Sequence, residues 1–204
     1  MSAQQAYEDV LDYWLGSVEP VPAALKERMR LWFKADPGVD AEILSRFGAL
    51  IDEASAGQLT AWERMPRGRL ALILLLDQFR RNVYRDNKKA FALDSAALVL
   101  CHGGIELEMD RDLSIIERAF FYVPMQHAED LAVQETSVEA FRILTNDSPD
   151  TIRPYVAEFL ASARTHHDII TRFGRFPHRN AILDRQCTAA EAAYLLSEHI
   201  PFRK

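Results

Sequence analysis

Seven consecutive residues, Leu70 to Leu76, read LALILLL and leave no polar face on the helix they would form. A helix that is hydrophobic all round has to be enclosed, by other helices or by lipid. Seven residues fall far short of the roughly twenty that span a bilayer. Followed at once by the polar stretch DQFRRN, the run predicts a central helix wrapped by other helices, with no membrane as partner.

The rest of the chain supplies the wrapping. Helix signals recur throughout, and no stretch alternates apolar and polar residues between hairpin turns. Ser2 with Gln5 gives a capping-box pattern and Gly16 a stop, which predicts a first helix over residues 3 to 15. Pro22 opens a second helix towards Phe33. Asp36, Pro37 and Gly38 break the chain, and Asp40 is expected to cap a third helix that ends near Gly57. Asn87 is expected to cap a helix that Gly103 and Gly104 stop. Ser114 and Glu117 form a capping box for a short helix ending before Pro124, and a longer helix is expected from His127 to Leu144. Ser148 and Pro149 then start one that runs, irregular at Pro154, to Phe173 and Gly174, and Thr188 with Glu191 caps the last. Connections are short and polar and no Gly/Ser linker divides them, so residues 1–204 are expected to form a single domain. The expected fold class is all-α, with antiparallel helical hairpins packed as a bundle or a superhelical stack.

Several function classes are closed off by charge and composition. A formal net charge of -6 argues against binding a phosphate backbone, which calls for a basic face, so nucleic acid is not an expected partner. Cys101 and Cys187 have no metal-like or redox spacing, which fits reduced thiols. Glu8, Asp9 and Asp12 interrupt the apolar residues near the N-terminus, against a signal-peptide core, and a cytoplasmic location is expected. The sequence contains no phosphate loop, dinucleotide fingerprint or GxSxG elbow. His127, Asp130, His166 and His178 are acceptable metal ligands, but their spacing matches neither HExxH nor ExxH, so neither metal nor cofactor is expected.

Three segments combine core-like placement with many polar groups. In the first, Asp77 continues the apolar face of Leu70, Ile73 and Leu74 and needs a cation; Arg81, one turn on, is the local choice. Gln78 and Asn82 line an adjacent face. A buried structural ion pair explains this segment as well as a site does. In the second, a continuous helix would put His127, Asp130 and Gln134 on one face, making His127 a general base oriented by Asp130. Plain helix capping by Glu129 and Asp130 is the alternative. In the third, His166 falls on the apolar face with Phe159, Ala163, Ile170 and Phe173, and a loop beyond Gly174 delivers Arg175, His178, Arg179 and Asn180. Such donors can hold a carboxylate or phosphate, or simply neutralise Asp77, Glu129 and Asp130. Tyr13, Trp14, Trp32, Phe33, Phe47 and Trp62 read as core residues rather than a ligand cage.

The three segments, LDQFRRNVYR, FFYVPMQHAEDL and HHDIITRFGRFPHRNAILDR, resemble the signatures of domain-of-unknown-function family 924. The likeness extends from VLDYWLG through RLWFKAD to TAAEAAYLL. The resemblance implies a bacterial, all-helical protein similar to tetratricopeptide-repeat proteins, a right-handed superhelix, although no repeat of fixed period is visible. It implies no activity.

The functional expectation is a pocket between helices that binds a small anionic or polar ligand and supports acid-base or hydrolytic chemistry. His127, Asp130 and His166 are its expected catalytic residues. Asp77, Gln78, Arg81, Asn82, Arg175, His178, Arg179 and Asn180 are its expected ligand-binding residues. The rival expectation is a helical scaffold that binds a peptide through a groove, its polar groups serving only to orient helices. A homodimer using an aromatic face is a third reading. A closed polar pocket favours the first and an open apolar groove the second.

Overall fold

The chain is described here from a computed structural model over residues 3–16 and 22–197. Among these residues every regular element is helical: α1 Ala3–Leu15, α2 Pro22–Phe33, α3 Pro37–Ser55, α4 Pro66–Ile73, α5 Arg80–Val83, α6 Asp94–Glu106, α7 Ile115–Gln126, α8 Leu131–Asp147, α9 Arg153–Phe173 and α10 Ala189–Leu195. The fold is a packed all-α bundle. No helix among the described residues is long and apolar enough to cross a membrane.

The apolar run sits at the centre. A π-helical segment, Leu74–Phe79, joins α4 to α5 without leaving right-handed helical geometry, and every residue from Leu70 to Asp77 is buried. Around it pack α1, α3, α6 and α7, while α8 lies between α7 and α9. Rings from five parts of the chain lock the interior edge to face: Phe120 meets Trp32 at 4.7 Å, Phe159 at 5.4 Å and Trp14 at 6.1 Å between centroids. Trp14 also meets Phe79 at 5.4 Å. Such pairs add roughly 0.5–1.5 kcal/mol each beyond the area they bury. A smaller cluster of Ile169, Ile170 and Phe176, with Phe173 and Tyr194 against it, docks the C-terminal segment onto the end of α9.

Helix ends follow local chemistry where a cap is explicit. Both sides of the Ser114–Glu117 and Thr188–Glu191 capping boxes form, and Gly174 ends α9 in the left-handed region at φ 69. The Ser2 pattern lies outside the described residues.

Elsewhere tertiary contacts move the ends. Asp36, not Asp40, caps α3: its carboxylate accepts from Gly38 N at 2.8 Å, and Pro37 occupies the first turn, where its missing N–H costs nothing. Asn87 caps a 3-10 turn, Lys88–Ala90, and α6 begins later, at Asp94. Gly103 and Gly104 do not stop α6. Gly104 is there because a Cβ would lie 2.3 Å from Phe121 Cζ and 2.8 Å from Arg69 Cδ. α7 runs through Pro124 to Gln126, α8 starts only at Leu131, and Pro154 stands in the first turn of α9 rather than in its interior.

Candidate functional site

The π segment brings Asp77 to the end of α7. An α-helix interrupted by a π turn gives up regular hydrogen bonding locally, and such interruptions concentrate at functional sites. The side chain of Asp77 is fully buried. Its Oδ1 accepts from Arg81 Nη2 at 3.1 Å and lies 2.6 Å from His127 Nδ1, while Oδ2 accepts from Gln78 Nε2 at 2.5 Å. Burial alone would raise its pKa, but the pull of His127 and Arg81 outweighs burial and holds the carboxyl below its ordinary range.

His127 is the C-cap of α7, and a fully buried amide fixes the turn that carries it. Gln134 Nε2, from α8, donates to Met125 O at 3.2 Å, Gln126 O at 2.8 Å and Ala128 O at 2.8 Å. Met125 O also accepts from Ala128 N at 3.3 Å, so the amide adds a second bond there and meets the Gln126 and Ala128 carbonyls at the helix end. Burial first, then the Arg81 charge, pushes the His127 pKa down. A neutral imidazole facing an ionised carboxylate carries its proton on Nδ1, so Nε2 is the basic atom.

His166 has the same polarity. Its Nδ1 lies 2.8 Å from Ser162 O, a carbonyl that can only accept, so Nδ1 carries the proton. Burial and the neighbouring His127 push its pKa well down, and the two rings stand 5.8 Å apart. Ser162 Oγ donates to Gln126 Oε1 at 3.0 Å, and the His166 nitrogen 3.4 Å away is already a donor. Ser162 therefore has no base at that nitrogen and is not an activated nucleophile.

Two guanidinium groups share one carboxylate above this pair. Arg81 Nη2 donates to Asp94 Oδ1 at 2.8 Å and Arg179 Nη1 to Asp94 Oδ2 at 3.1 Å. Arg179 Nη1 also reaches the His127 carbonyl at 3.3 Å, and its guanidinium stacks between Phe91 and Phe176 at 4.7 and 4.4 Å from their centroids. Burial and the charge of Arg81 lower the Arg179 pKa to about 10, so it stays cationic at neutral pH. The Nε atoms of both arginines are buried without a hydrogen-bond partner. Nearby, Arg85 holds Asp40 through Nε at 2.9 Å and Nη2 at 2.8 Å, and Asn82 donates to the same carboxylate at 2.8 Å.

These groups border a cavity of about 290 Å³. Its polar lining includes Gln78, Arg81, Asn82, His127, His178 and Arg179. The apolar lining is Trp32, Phe33, Phe120, Val123 and Phe159, and Gln126, Ser162 and His166 also line the cavity. His178 is driven down to about 3 by burial and by the Arg179 and Arg81 charges, so it too is neutral. Among the described residues no group of three or more His, Cys, Asp or Glu has an arrangement that could hold a metal ion.

Residues 10–199 match the family described as "Bacterial protein of unknown function (DUF924)". The chain belongs to this family. It is also similar to a solved structure, a protein of unknown function, ATU0120, from Agrobacterium tumefaciens. The two are 33% identical with a TM-score of 0.78, over 96% of this chain and 99% of that one. No curated protein matches the chain.

Of the residues singled out in this DUF924 chain, Gln78, Arg81, Asn82, His127, His166, His178 and Arg179 meet at the cavity, with Asp77 directly behind His127. Three do not. Asp130 is exposed at the N-cap of α8, where it accepts from Val133 N at 3.1 Å. Residues 127 to 130 are not helical, so the shared face that would pair Asp130 with His127 does not exist, and Asp77 is the carboxylate partner instead. Arg175 is held by Glu191 at 2.6 and 2.8 Å, and Asn180 is buried between Cys187 and Arg185. Glu129 pairs with Arg185, at 2.6 and 2.9 Å, and accepts from Phe176 N at 2.8 Å, with the Arg179 charge adding to the pull.

Sequence reasoning missed Asp94, Asp40, Arg85, Gln126 and Ser162, and it read Trp32 and Phe33 as core alone. Gln126 and Ser162 carried a usable signal, because each is a polar residue on an otherwise apolar helical face. Asp94 carried none, since an acidic residue in a first helical turn is ordinary.

Proposed function

We propose that the cavity is the active site of a hydrolase that acts on a small anionic substrate. His127, kept neutral and oriented by Asp77, is the general base, and Arg81 with Arg179 holds the substrate's anion. The observation that carries this reading is the buried Asp77–His127 contact, 2.6 Å long, with the basic Nε2 left on the imidazole that borders the cavity. A carboxylate that fixes the tautomer also stabilises the imidazolium formed when the base takes its proton.

In this reading a water donates to His127 Nε2, and His127, backed by Asp77, removes its proton as it attacks. The buried guanidiniums meet the negative charge that develops, where low dielectric strengthens them. The convergence of Gln78, Arg81, His127, His178 and Arg179 on one cavity supports this reading over a peptide-binding scaffold.

The test is hydrolysis of aryl esters and aryl phosphates that carry a second anionic group, by the wild type and by His127→Asn. The expected result is turnover whose rate falls in acid with an apparent pKa below 6.5, and a loss of about 10²–10⁴-fold in the variant. Equal rates in both proteins, or no turnover of any member of the set, would overturn the proposal.

A further inference from the structure

We infer that Glu129 is a positioning residue for this site: its one carboxylate clasps both ends of the loop Phe176–Arg185 and so holds the loop's share of the cavity lining against the turn that carries His127. This rests on the reading of the cavity as an active site and adds a residue to it.

The loop has little regular structure of its own to fix it. Its one helical element is the 3-10 turn Pro177–Arg179, yet it supplies His178, Arg179 and Ile182 to the cavity lining. Its two ends meet at Glu129, two residues beyond His127 in the segment between α7 and α8. Glu129 Oε1 accepts from Phe176 N at 2.8 Å and from Arg185 Nη2 at 2.9 Å, and Oε2 accepts from Arg185 Nη1 at 2.6 Å. The guanidinium fork also binds the loop itself, through Nη2 to Phe176 O at 3.1 Å and Nε to Asn180 Oδ1 at 2.9 Å. Asp184, in the left-handed region at φ 54, turns the chain so that Arg185 faces back towards Phe176.

The two ends differ in what else holds them. Phe176 is fully buried in the cluster with Ile169 and Ile170, and its ring stands 5.4 Å from that of His166. Arg185 meets the bundle through Glu129. In mid-loop, Arg179 contacts Asp94 at 3.1 Å and the His127 carbonyl at 3.3 Å with the loop closed in this way. Glu129 and Arg185 keep 27% and 23% of their side-chain surface exposed, and an ion pair open to water contributes modestly to stability. What this pair fixes is a position, that of Arg185 against Phe176 and of the cavity residues between them.

The experiment follows the His178 ring by long-range ¹H–¹⁵N correlation, assigned with His178→Asn, in the wild type and in Glu129→Ala. In the wild type, burial and the Arg179 and Arg81 charges hold its pKa at about 3, so the ring is neutral at pH 5.5. The Glu129 charge by itself raises that pKa, so deleting it beside a loop that stayed closed would leave the ring neutral. Release of the loop hydrates the ring, and the expected result is a pKa moved up towards 6.5, with His178 protonated at pH 5.5 and an unchanged circular dichroism spectrum. On the aryl substrates proposed above, kcat/KM should fall about 10–10²-fold, chiefly through KM, because the Asp77–His127 contact remains. Arg185→Lys, which keeps the charge without the fork, should behave alike, and Glu129→Gln, which still accepts from Phe176 N, should restore part of the loss. A ring still neutral at pH 5.5 in both Glu129→Ala and Arg185→Lys, an unchanged kcat/KM, or loss of folding in both would overturn the positioning role. A wild type inactive on every substrate would overturn the hydrolase reading, while the His178 spectrum would still decide whether Glu129 holds the loop.

Discussion

His127 Nδ1 and Asp77 Oδ1 stand 2.6 Å apart, although the two residues are 50 positions apart in the chain. The contact exists because a π turn carries Asp77 to the end of α7 and Gln134 holds that end in place. Asp77→Asn keeps the shape and removes the charge that fixes the tautomer. Turnover in this variant should fall by about 10³–10⁴-fold. Asp77→Ala also strips a buried partner from Arg81, and equilibrium urea unfolding should show a loss of about 3–5 kcal/mol.

Gln134 is a positioning residue. Replacing it by Leu preserves bulk and removes the donor from three carbonyls around the His127 turn. The expected cost is about 2–3 kcal/mol in urea unfolding. Catalysis should fall further than the loss of folded protein explains, with kcat affected and KM nearly unchanged, because the guanidiniums remain in place. Gln134→Glu, which keeps the shape without the full donor set, should not restore activity.

Three histidines around the cavity have pKa values pushed below 6.5, chiefly by burial: His127, His166 and His178. In the unfolded chain each takes up a proton near pH 6.5, whereas in the folded protein it does so only at lower pH. The unfolded state therefore binds more protons in that window, and stability falls as the pH drops below about 6.5. Urea midpoints at pH 7.5, 6.5 and 5.5 should decline across the last interval. Replacing His178, lowered to about 3, by Asn should flatten that decline.

Gly104 is predicted to tolerate no side chain. Its Cβ would meet Phe121 Cζ at 2.3 Å, far inside contact distance, so Gly104→Ala should destabilise by about 1–3 kcal/mol even though alanine is the better helix former. Thermal unfolding would check the sign: a glycine in a helix interior with room for a Cβ would respond in the opposite direction.

The glycine illustrates what was legible in the sequence. Signals that act within one turn were readable: the Ser114–Glu117 and Thr188–Glu191 boxes, Gly174 as a left-handed cap, and the enclosed helix from Leu70 onward all have their cause in adjacent residues. Asp36 and Asp40 are both short acids near a helix start, and nothing local says that one would cap the helix while the other would hold Arg85 from the turn after α5. Pro124 read as an end because proline removes a helical hydrogen bond, yet α7 runs past it to Gln126, where Gln134 from another helix holds the carbonyls of the helix end. The same short range hid the partner of His127. A neighbour three residues on, Asp130, was visible in the pattern, and Asp77 becomes a neighbour only after the bundle closes.

The most direct measurement is the ring nitrogen spectrum of His127 by long-range ¹H–¹⁵N correlation, assigned with His127→Asn. At pH 7 it should show a neutral imidazole protonated at Nδ1, with Nε2 unprotonated. An imidazolium at pH 7, or a neutral ring protonated at Nε2, would contradict the account, because either leaves no base facing the cavity.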